Sequence, residues 1–500
     1  MTAVIERERK YEIDAATTVP RLDGTAGVRS QEEPVEHVLD ATYFDTTDFR
    51  LLRAGITVRR RTGGDEGWQL KLPVDSDARE EIHLPLGSEA GRVPGRLRRL
   101  VRAYTLGRDL VPIAHLRTDR FSYRLVGNDG RTRAVLTDDH VSGSAGGNAR
   151  RDHWREIEVE LDPDAEPESL DELDRAVTRA GAAPSRWPSK LRRMLGERFP
   201  RPGRAPKRPD TGVVVLKYLA EQFENLRRAD LGVRLDVEDS VHQMRVSARK
   251  LRSALRTFRS VVPKTETAEI AAELKWLGSR LARARDVEVT QERLAKQLDA
   301  VPAELLLGPV RQFLTRHYGR VEAEARAEAM DTLSGKRYRS LLRAIDALLA
   351  DAPLTKRAHE RPKPGLRKAL RRAARRLGRA EAAARGLKGA ERELALHEVR
   401  KKAKQARYAA DAAKPTYGKK LRKWRKHVKA AQSTLGEHQD TVVARDALHR
   451  LAVAGFGEGQ NTFVFGLLHG REEAAAAGHR KAFRKAWRKL KSGRRPGWLS

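Results

Sequence analysis

Residues 154–161 read Trp-Arg-Glu-Ile-Glu-Val-Glu-Leu, and residues 6–10 read Glu-Arg-Glu-Arg-Lys. In an extended strand, side chains two apart share a face. Glu156, Glu158 and Glu160 therefore form one row, with Ile157, Val159 and Leu161 opposite. Glu6, Glu8 and Lys10 project together by the same rule. Working outward, Arg59 and Arg61 share a face, opposite Ile56 and Val58. Gln69 and Lys71 share another, opposite Trp68, Leu70 and Leu72. For one strand alone, solvent is the ordinary neighbour of a charged face. Several such strands point further, to a closed or nearly closed barrel, apolar outside under helices and charged within. That interior is tolerable only where its charges meet opposite charges, metal ions and a polyanion. Carboxylates suit Mg²⁺ or Mn²⁺, and Arg and Lys suit phosphate oxygens.

Other stretches extend the pattern. Residues 3–11, 55–61, 67–72, 79–84, 131–137 and 154–161 read as strands between Gly, Asp and Pro turns. Residues 92–106, 169–181 and 186–198 read as helices. The run Arg-Phe-Pro-Arg-Pro-Gly-Arg-Ala-Pro-Lys-Arg-Pro-Asp-Thr-Gly, 198–212, cannot continue a helix and reads as a linker. Nearly everything after it has a helical period.

Charge divides at the same place. The 500 residues carry a net +33. Residues 1–200 hold 33 Lys and Arg against 35 Asp and Glu, while residues 201–500 hold 68 against 33. A field of that size collects polyanions: nucleic acid, anionic lipid or condensed phosphate. There is no cysteine, which removes disulfides and thiolate metal sites and fits a reducing cytoplasm. The charged start, Met-Thr-Ala-Val-Ile-Glu-Arg-Glu-Arg-Lys, does not read as a signal peptide. The absence of an apolar run of about 18 residues argues against a membrane span. The Gly patterns of a Walker loop or dinucleotide cradle are missing.

The basic part repeats itself. His242-x-x-Arg245-x-x-x-Arg249-x-x-Arg252 recurs as His397-x-x-Arg400-x-x-x-Lys404-x-x-Arg407. Leu281-Ala-Arg-Ala-Arg-Asp286 recurs as Leu435-Gly-Glu-His-Gln-Asp440. The near-equal offsets suggest a duplicated helical unit. On a helix, Arg245, Arg249 and Arg252 fall within about 80° of His242. Met244, Leu251, Leu255 and Phe258 cluster on the other side. Val399, Ala406, Ala410 and Ala413 do the same opposite His397. Two such helices could form both walls of a basic groove. A solvated face is the bland alternative. Asp286 and Asp440 read as orienting arginines or capping helices.

The N-terminal residues resemble the CYTH family of triphosphate tunnel metalloenzymes. The likeness is carried by Glu6-Arg-Glu8-Arg-Lys10, Tyr43-Phe44-Asp45-Thr46, Leu51 and Gly55 before Arg59-Arg-Arg61, Trp68-Gln-Leu-Lys71, Arg79-Glu-Glu81, Asp138-Asp139, the Glu156–Glu160 row and Ser189-Lys190-Leu191. It covers about residues 2–197. The resemblance implies an antiparallel barrel around a tunnel that takes a triphosphate end-on. It implies metals on Glu6, Glu8, Asp138, Glu156, Glu158 and Glu160, and phosphates on Lys10, Arg59, Arg61, Lys71 and Lys190. Glu6, Glu8, Lys10 and Glu158 would be catalytic. Arg117 and Arg120 are both eligible, although strand parity sets them on opposite faces. Asp138 is favoured over Asp139.

The basic region, about 210–495, resembles the CHAD domain on its His-x-x-Arg and Leu-…-Asp motifs. That resemblance implies an all-α fold of two similar halves binding inorganic polyphosphate. His242, Arg245, Arg249, Arg252, His397, Arg400, Lys404 and Arg407 match its basic positions.

The expected architecture is thus an α+β barrel with flanking helices over 1–197, a linker over 198–212, and an all-α bundle over 213–495. The bundle's repeats would span about 213–350 and 362–495. The expected activity is Mg²⁺- or Mn²⁺-dependent hydrolysis of inorganic triphosphate, with polyphosphate as partner and a cytoplasmic, polyphosphate-granule location. The competing readings are non-catalytic polyphosphate binding and nucleic-acid binding. Few aromatics interleave the basic stripes, which disfavours base stacking.

Overall fold

The computed structural model describes residues 3–14, 16–74, 78–87, 91–146, 152–200, 206 and 208–492. The chain divides into two compact units, Met1–Arg204 and Ala205–Ser500.

The first unit contains strands β1 (Ala3–Glu12), β2 (Val28–Gln31) and β3 (Val35–Asp45), then helix α1 (Arg50–Arg53). Strands β4 (Thr57–Thr62), β5 (Gly67–Pro73) and β6 (Ala78–Leu84) follow, with helices α2 (Gly95–Leu100) and α3 (Arg102–Thr105). Strands β7 (Val111–Gly127), β8 (Thr132–Ala145) and β9 (Asp152–Leu161) lead to helix α4 (Ser169–Arg179), the short β10 (Ala183–Pro184) and helix α5 (Lys190–Leu195). Eight strands close in the order β1-β6-β5-β4-β3-β7-β8-β9, because β1 also pairs with β9. Every pairing is antiparallel. Closure leaves no free edge in the ring.

The apolar rows face outward and are covered. Ile157, Val159 and Leu161 pack with Leu170, Leu173 and Val177 of α4. Each such side chain contributes about 1.5–3 kcal/mol when fully buried. Trp68 lies against Phe44, ring centroids 5.1 Å apart. Leu191, Met194 and Leu195 of α5 share a core with Leu116, Val141, Trp154 and Phe199. That packing fixes Lys190 at the start of α5.

The six strands expected from alternation are present. Strands β2, β3, β7 and β10 lie outside those six. Residues 201–205 and 207 of the expected linker lie outside the described residues. Its flanks belong to the folded units instead. Phe199 is in the first unit's core. Asp210 caps α6 by accepting from the Val213 amide at 2.8 Å.

The second unit is helical throughout its described residues. It runs α6 (Thr211–Leu235), α7 (Ser240–Thr257), α8 (Lys264–Arg280), α9 (Ala282–Asp299), α10 (Val310–Ser334) and α11 (Lys336–Ala350). It continues with α12 (Pro362–Ala384), α13 (Gly389–Gly457) and α14 (Phe463–Ser492). Helix α13 breaks at Gly418, where φ is 60° and ψ −137°. The duplication is visible in this order: α6 and α7 recur as α12 and the first part of α13. The break between α7 and α8 recurs at Gly418. Among the described residues, no helix is long and apolar enough to cross a membrane.

Candidate functional site

The charged rows converge inside the barrel around a cavity of about 230 Å³. Glu6, Glu8 and Lys10 of β1, Arg59 and Arg61 of β4, Lys71 of β5, Arg120 of β7, Glu158 and Glu160 of β9, and Lys190 all line it. Pleating accounts for the strand residues, each of which occupies the inward parity of its strand, and Lys190 enters from the start of α5.

The ions interlock. Lys10 Nζ lies 2.9 Å from Glu8 and pairs closely with Glu158. Lys71 pairs closely with Glu6 and lies 2.8 Å from Glu81. Lys190 Nζ reaches Asp139 at 2.8 Å, Glu156 at 2.9 Å and Glu158 at 2.6 Å. Arg120 donates to both Asp139 oxygens at 2.7 and 2.6 Å and to Glu158 at 3.1 Å. Arg59 donates to Gln69 Oε1, and to the Tyr43 hydroxyl at 3.3 Å.

The neutralisation is uneven, and that unevenness carries chemical meaning. Burial, then the adjoining Glu81 carboxyl, pushes Glu6 up to about 8. Burial likewise raises Glu160. On the cationic side, burial and then Arg59 and Arg120 bring Arg61 down to about 10. Against its own burial, Glu158 is held well below the usual range by Lys10, Lys190 and Arg120. The cavity therefore holds carboxylates short of cations and, in Arg61, an arginine short of anions. The crowded carboxyls fit a hard divalent cation, and the arginines fit phosphate oxygens.

Two expectations are resolved by strand parity. Asp138, favoured from sequence as the inward residue, points outward. It pairs with Arg155 at 2.8 and 2.9 Å and sits opposite Ile157 of the outer core. Asp139 is the inward residue, opposite Arg120 and Glu156. Arg117 also points outward, its side chain 60% exposed beside Asp119, so Arg120 is the tunnel cation. The sequence reading did not select Glu81. Its signal was Ile82, whose outward apolar side chain puts Glu81 inside.

In the second unit, α7 buries Met244, Leu251 and Leu255, and α13 buries Val399, Ala406, Ala410 and Ala413. The opposite faces of the two helices approach each other. Arg249 of α7 is close enough to Arg400 and Lys404 of α13 to disfavour their charged forms. Burial, then Arg400 and Arg249, brings Lys404 down to about 7. Burial and Arg285 lower His242. Arg245 lies 3.4 Å from Asp286, and His397 Nδ1 lies 2.8 Å from Gln439 Oε1. Arg252 also lies on this face of α7, beside Arg249 and Arg256. Arg407 of α13 stacks on the Tyr408 ring at 5.0 Å. Cations of α7 and α13 thus lie close enough to disfavour one another's charge.

Comparison with known proteins agrees with both halves. Residues 4–183 match the CYTH domain and residues 217–449 the CHAD domain. A protein of Mycobacterium tuberculosis strain CDC 1551 / Oshkosh is 36% identical over 501 residues, covering 97% of this chain and 96% of its own. The chain belongs to the CYTH–CHAD family. The counterpart in M. tuberculosis strain H37Rv matches to the same extent, and both relatives are uncharacterised. Among solved structures, PptA from Streptomyces chartreusis aligns at 23% identity with a TM-score of 0.45, over 56% of this chain and 100% of that one. The CHAD domain of Ricinus communis aligns at 25% and 0.45, over 59% and 99%. A putative adenylyl cyclase from Hippeastrum, described as having a dominant triphosphatase activity, aligns at 19% and 0.26, over 38% and 94%. CYTH domains are tunnel metalloenzymes that generally use divalent metals.

Proposed function

We propose that the CYTH tunnel hydrolyses inorganic triphosphate with Mg²⁺ or Mn²⁺, and that the CHAD groove binds inorganic polyphosphate. The observation that carries this reading is the uneven charge of the cavity, with Glu6 and Glu160 under-neutralised and Arg61 no nearer than 3.5 Å to the Asp65 carboxylate. A polyphosphate chain and a divalent cation together supply what each side lacks.

Arg59, Arg61 and Arg120 would hold phosphate oxygens, the guanidinium fork matching two at once. Lys10, Lys71 and Lys190 add point charges to the same cavity. Hydrolysis of a phosphoanhydride spreads negative charge over the transferred group, so preorganised cations lower its barrier without a covalent nucleophile. Glu6, Glu8, Glu158 and Glu160 would hold the metal, with Asp139 and Glu156 fixing Lys190 behind them. When bound, the metal supplies Lewis-acid polarisation of phosphoryl oxygens. A carboxylate of the acidic row orients water toward the scissile phosphorus.

The test is phosphate release from triphosphate, long polyphosphate, ATP and thiamine triphosphate, each with Mg²⁺ and Mn²⁺. Triphosphate is expected to be preferred. Glu6→Gln with Glu8→Gln is expected to abolish the metal-dependent release while the circular dichroism spectrum stays unchanged. Undiminished turnover in that double variant would end the assignment.

A further inference from the structure

A second cluster lies at the β4–β5 turn end of the barrel, beside the carboxylate site assigned above. His83 and Glu81 are two apart on β6 and share the inward face. Asp65 comes from the turn between β4 and β5, and its backbone is left-handed, with φ 49°. His83 Nε2 lies 3.5 Å from Asp65 Oδ1 and 3.5 Å from Glu81 Oε1. All three ligand atoms fall within 4.8 Å of one another.

Two of the three facing atoms are buried without a hydrogen-bond partner, Glu81 Oε1 and His83 Nε2. Glu81 as a whole is 7% exposed. The remaining oxygens are engaged. Glu81 Oε2 is held by Lys71 at 2.8 Å. Asp65 Oδ2 accepts from Gln69 Nε2 at 2.6 Å and lies 3.5 Å from Arg61. Each carboxylate is thus fixed through one oxygen and turns the other toward the imidazole. Ligands oriented this way by outer partners are the usual construction of a metal site.

We propose that Asp65, Glu81 and His83 bind a divalent transition-metal ion, separate from the ion held by Glu6, Glu8, Glu158 and Glu160. Spacing and ligand chemistry name the class. Ligands about 2.1 Å from a tetrahedral ion stand about 3.4 Å apart, close to the 3.5 Å separations observed here. One imidazole with two carboxylates suits Zn²⁺ or Co²⁺, whereas Mg²⁺ prefers oxygen ligands throughout. Glu81 belongs to this cluster through Oε1 and to the Lys71–Glu6 network through Oε2, so an ion on Oε1 leaves the Lys71 pair in place. This proposal stands whether or not the tunnel hydrolyses triphosphate.

The experiment titrates the metal-free full chain with Zn²⁺ against a chromophoric chelator, and with Co²⁺ followed by visible absorption. Wild type should hold one more Zn²⁺ than His83→Ala and give cobalt bands that the variant lacks. Asp65→Asn, a change in an exposed turn, should weaken Zn²⁺ at least tenfold. Mg²⁺ affinity should be the same in all three proteins. Equal Zn²⁺ stoichiometry and affinity in wild type, His83→Ala and Asp65→Asn would overturn the proposal. So would wild type lacking cobalt bands.

Discussion

Adjacent aspartates on β8 take opposite tasks because a strand turns each residue to the other face. Asp139 belongs to the tunnel through Arg120 and Lys190, while Asp138 anchors Arg155 outside. Asp139→Asn leaves the position of Lys190 under-determined and is expected to lower kcat/KM for triphosphate by about tenfold to a hundredfold, within reach of one lost charged hydrogen bond. Asp138→Asn is expected to lower the thermal midpoint, by about 1–3 kcal/mol in stability, since it leaves a paired Arg155 without its anion. Its kcat/KM should stay within a factor of two or three. The two variants, measured side by side, should separate catalysis from stability. A kinetic defect in Asp138→Asn larger than that in Asp139→Asn would contradict the parity. The sequence could not make this choice. Residues Leu136, Thr137, Asp138 and Asp139 are all buried, because both faces of β8 are covered there, so no alternation marks the inner side. Glu81 was more legible, through its neighbour Ile82.

Helices and strands show a similar division between what pattern reveals and what packing decides. Strands with one apolar and one charged face, such as β5 and β9, are readable in the sequence. Strand β3 mixes Glu36, Val38, Asp40 and Phe44 on one parity, and β7 carries arginines on both. Neither has a clean period, and only closure of the ring explains them. In the second unit the duplication was readable in the His and Arg spacing, whereas the helix breaks were not. The first half breaks at Leu281 between α8 and α9, while α13 runs straight through the matching Leu435, and the counterpart of the α7–α8 break is its own break at Gly418. The backbone there, φ 60° and ψ −137°, is open to glycine and costly for any residue with a Cβ. A Cβ at Gly418 would meet no atom within 4 Å, so the cost is conformational and not steric. Gly418→Ala is expected to destabilise the chain by about 1–3 kcal/mol, read as a lower denaturant midpoint with unchanged slope. An unchanged midpoint would show that the break can be made without glycine.

Across the whole molecule, the charge split assigns the polyanion field to residues 201–500, where 68 cationic residues face 33 acidic ones. Binding there should weaken steeply with salt, since each neutralised phosphate releases counterions. His242→Ala with Arg249→Ala is expected to weaken polyphosphate binding and to lower the log–log salt slope by about one, with triphosphate turnover unaffected. The pH dependence follows from Lys404. Burial, then Arg400 and Arg249, places it at about 7 in the free protein, so it is charged below that pH and increasingly neutral above it. A bound phosphate restores the charge and takes up a proton. Affinity should therefore fall as pH rises from 7 to 9, by at most about tenfold per pH unit for one proton. Lys404→Met should be weaker at pH 6 and flatter across the range. Duplex DNA carries comparable charge on a broader body, and aromatic platforms for unpaired bases are sparse, so it should displace polyphosphate poorly. Fluorescence anisotropy of labelled polyphosphate, titrated with DNA at fixed salt, measures this directly. Displacement at equal phosphate concentration would mean that the groove reads charge alone, and the CHAD half would then be a general polyanion binder.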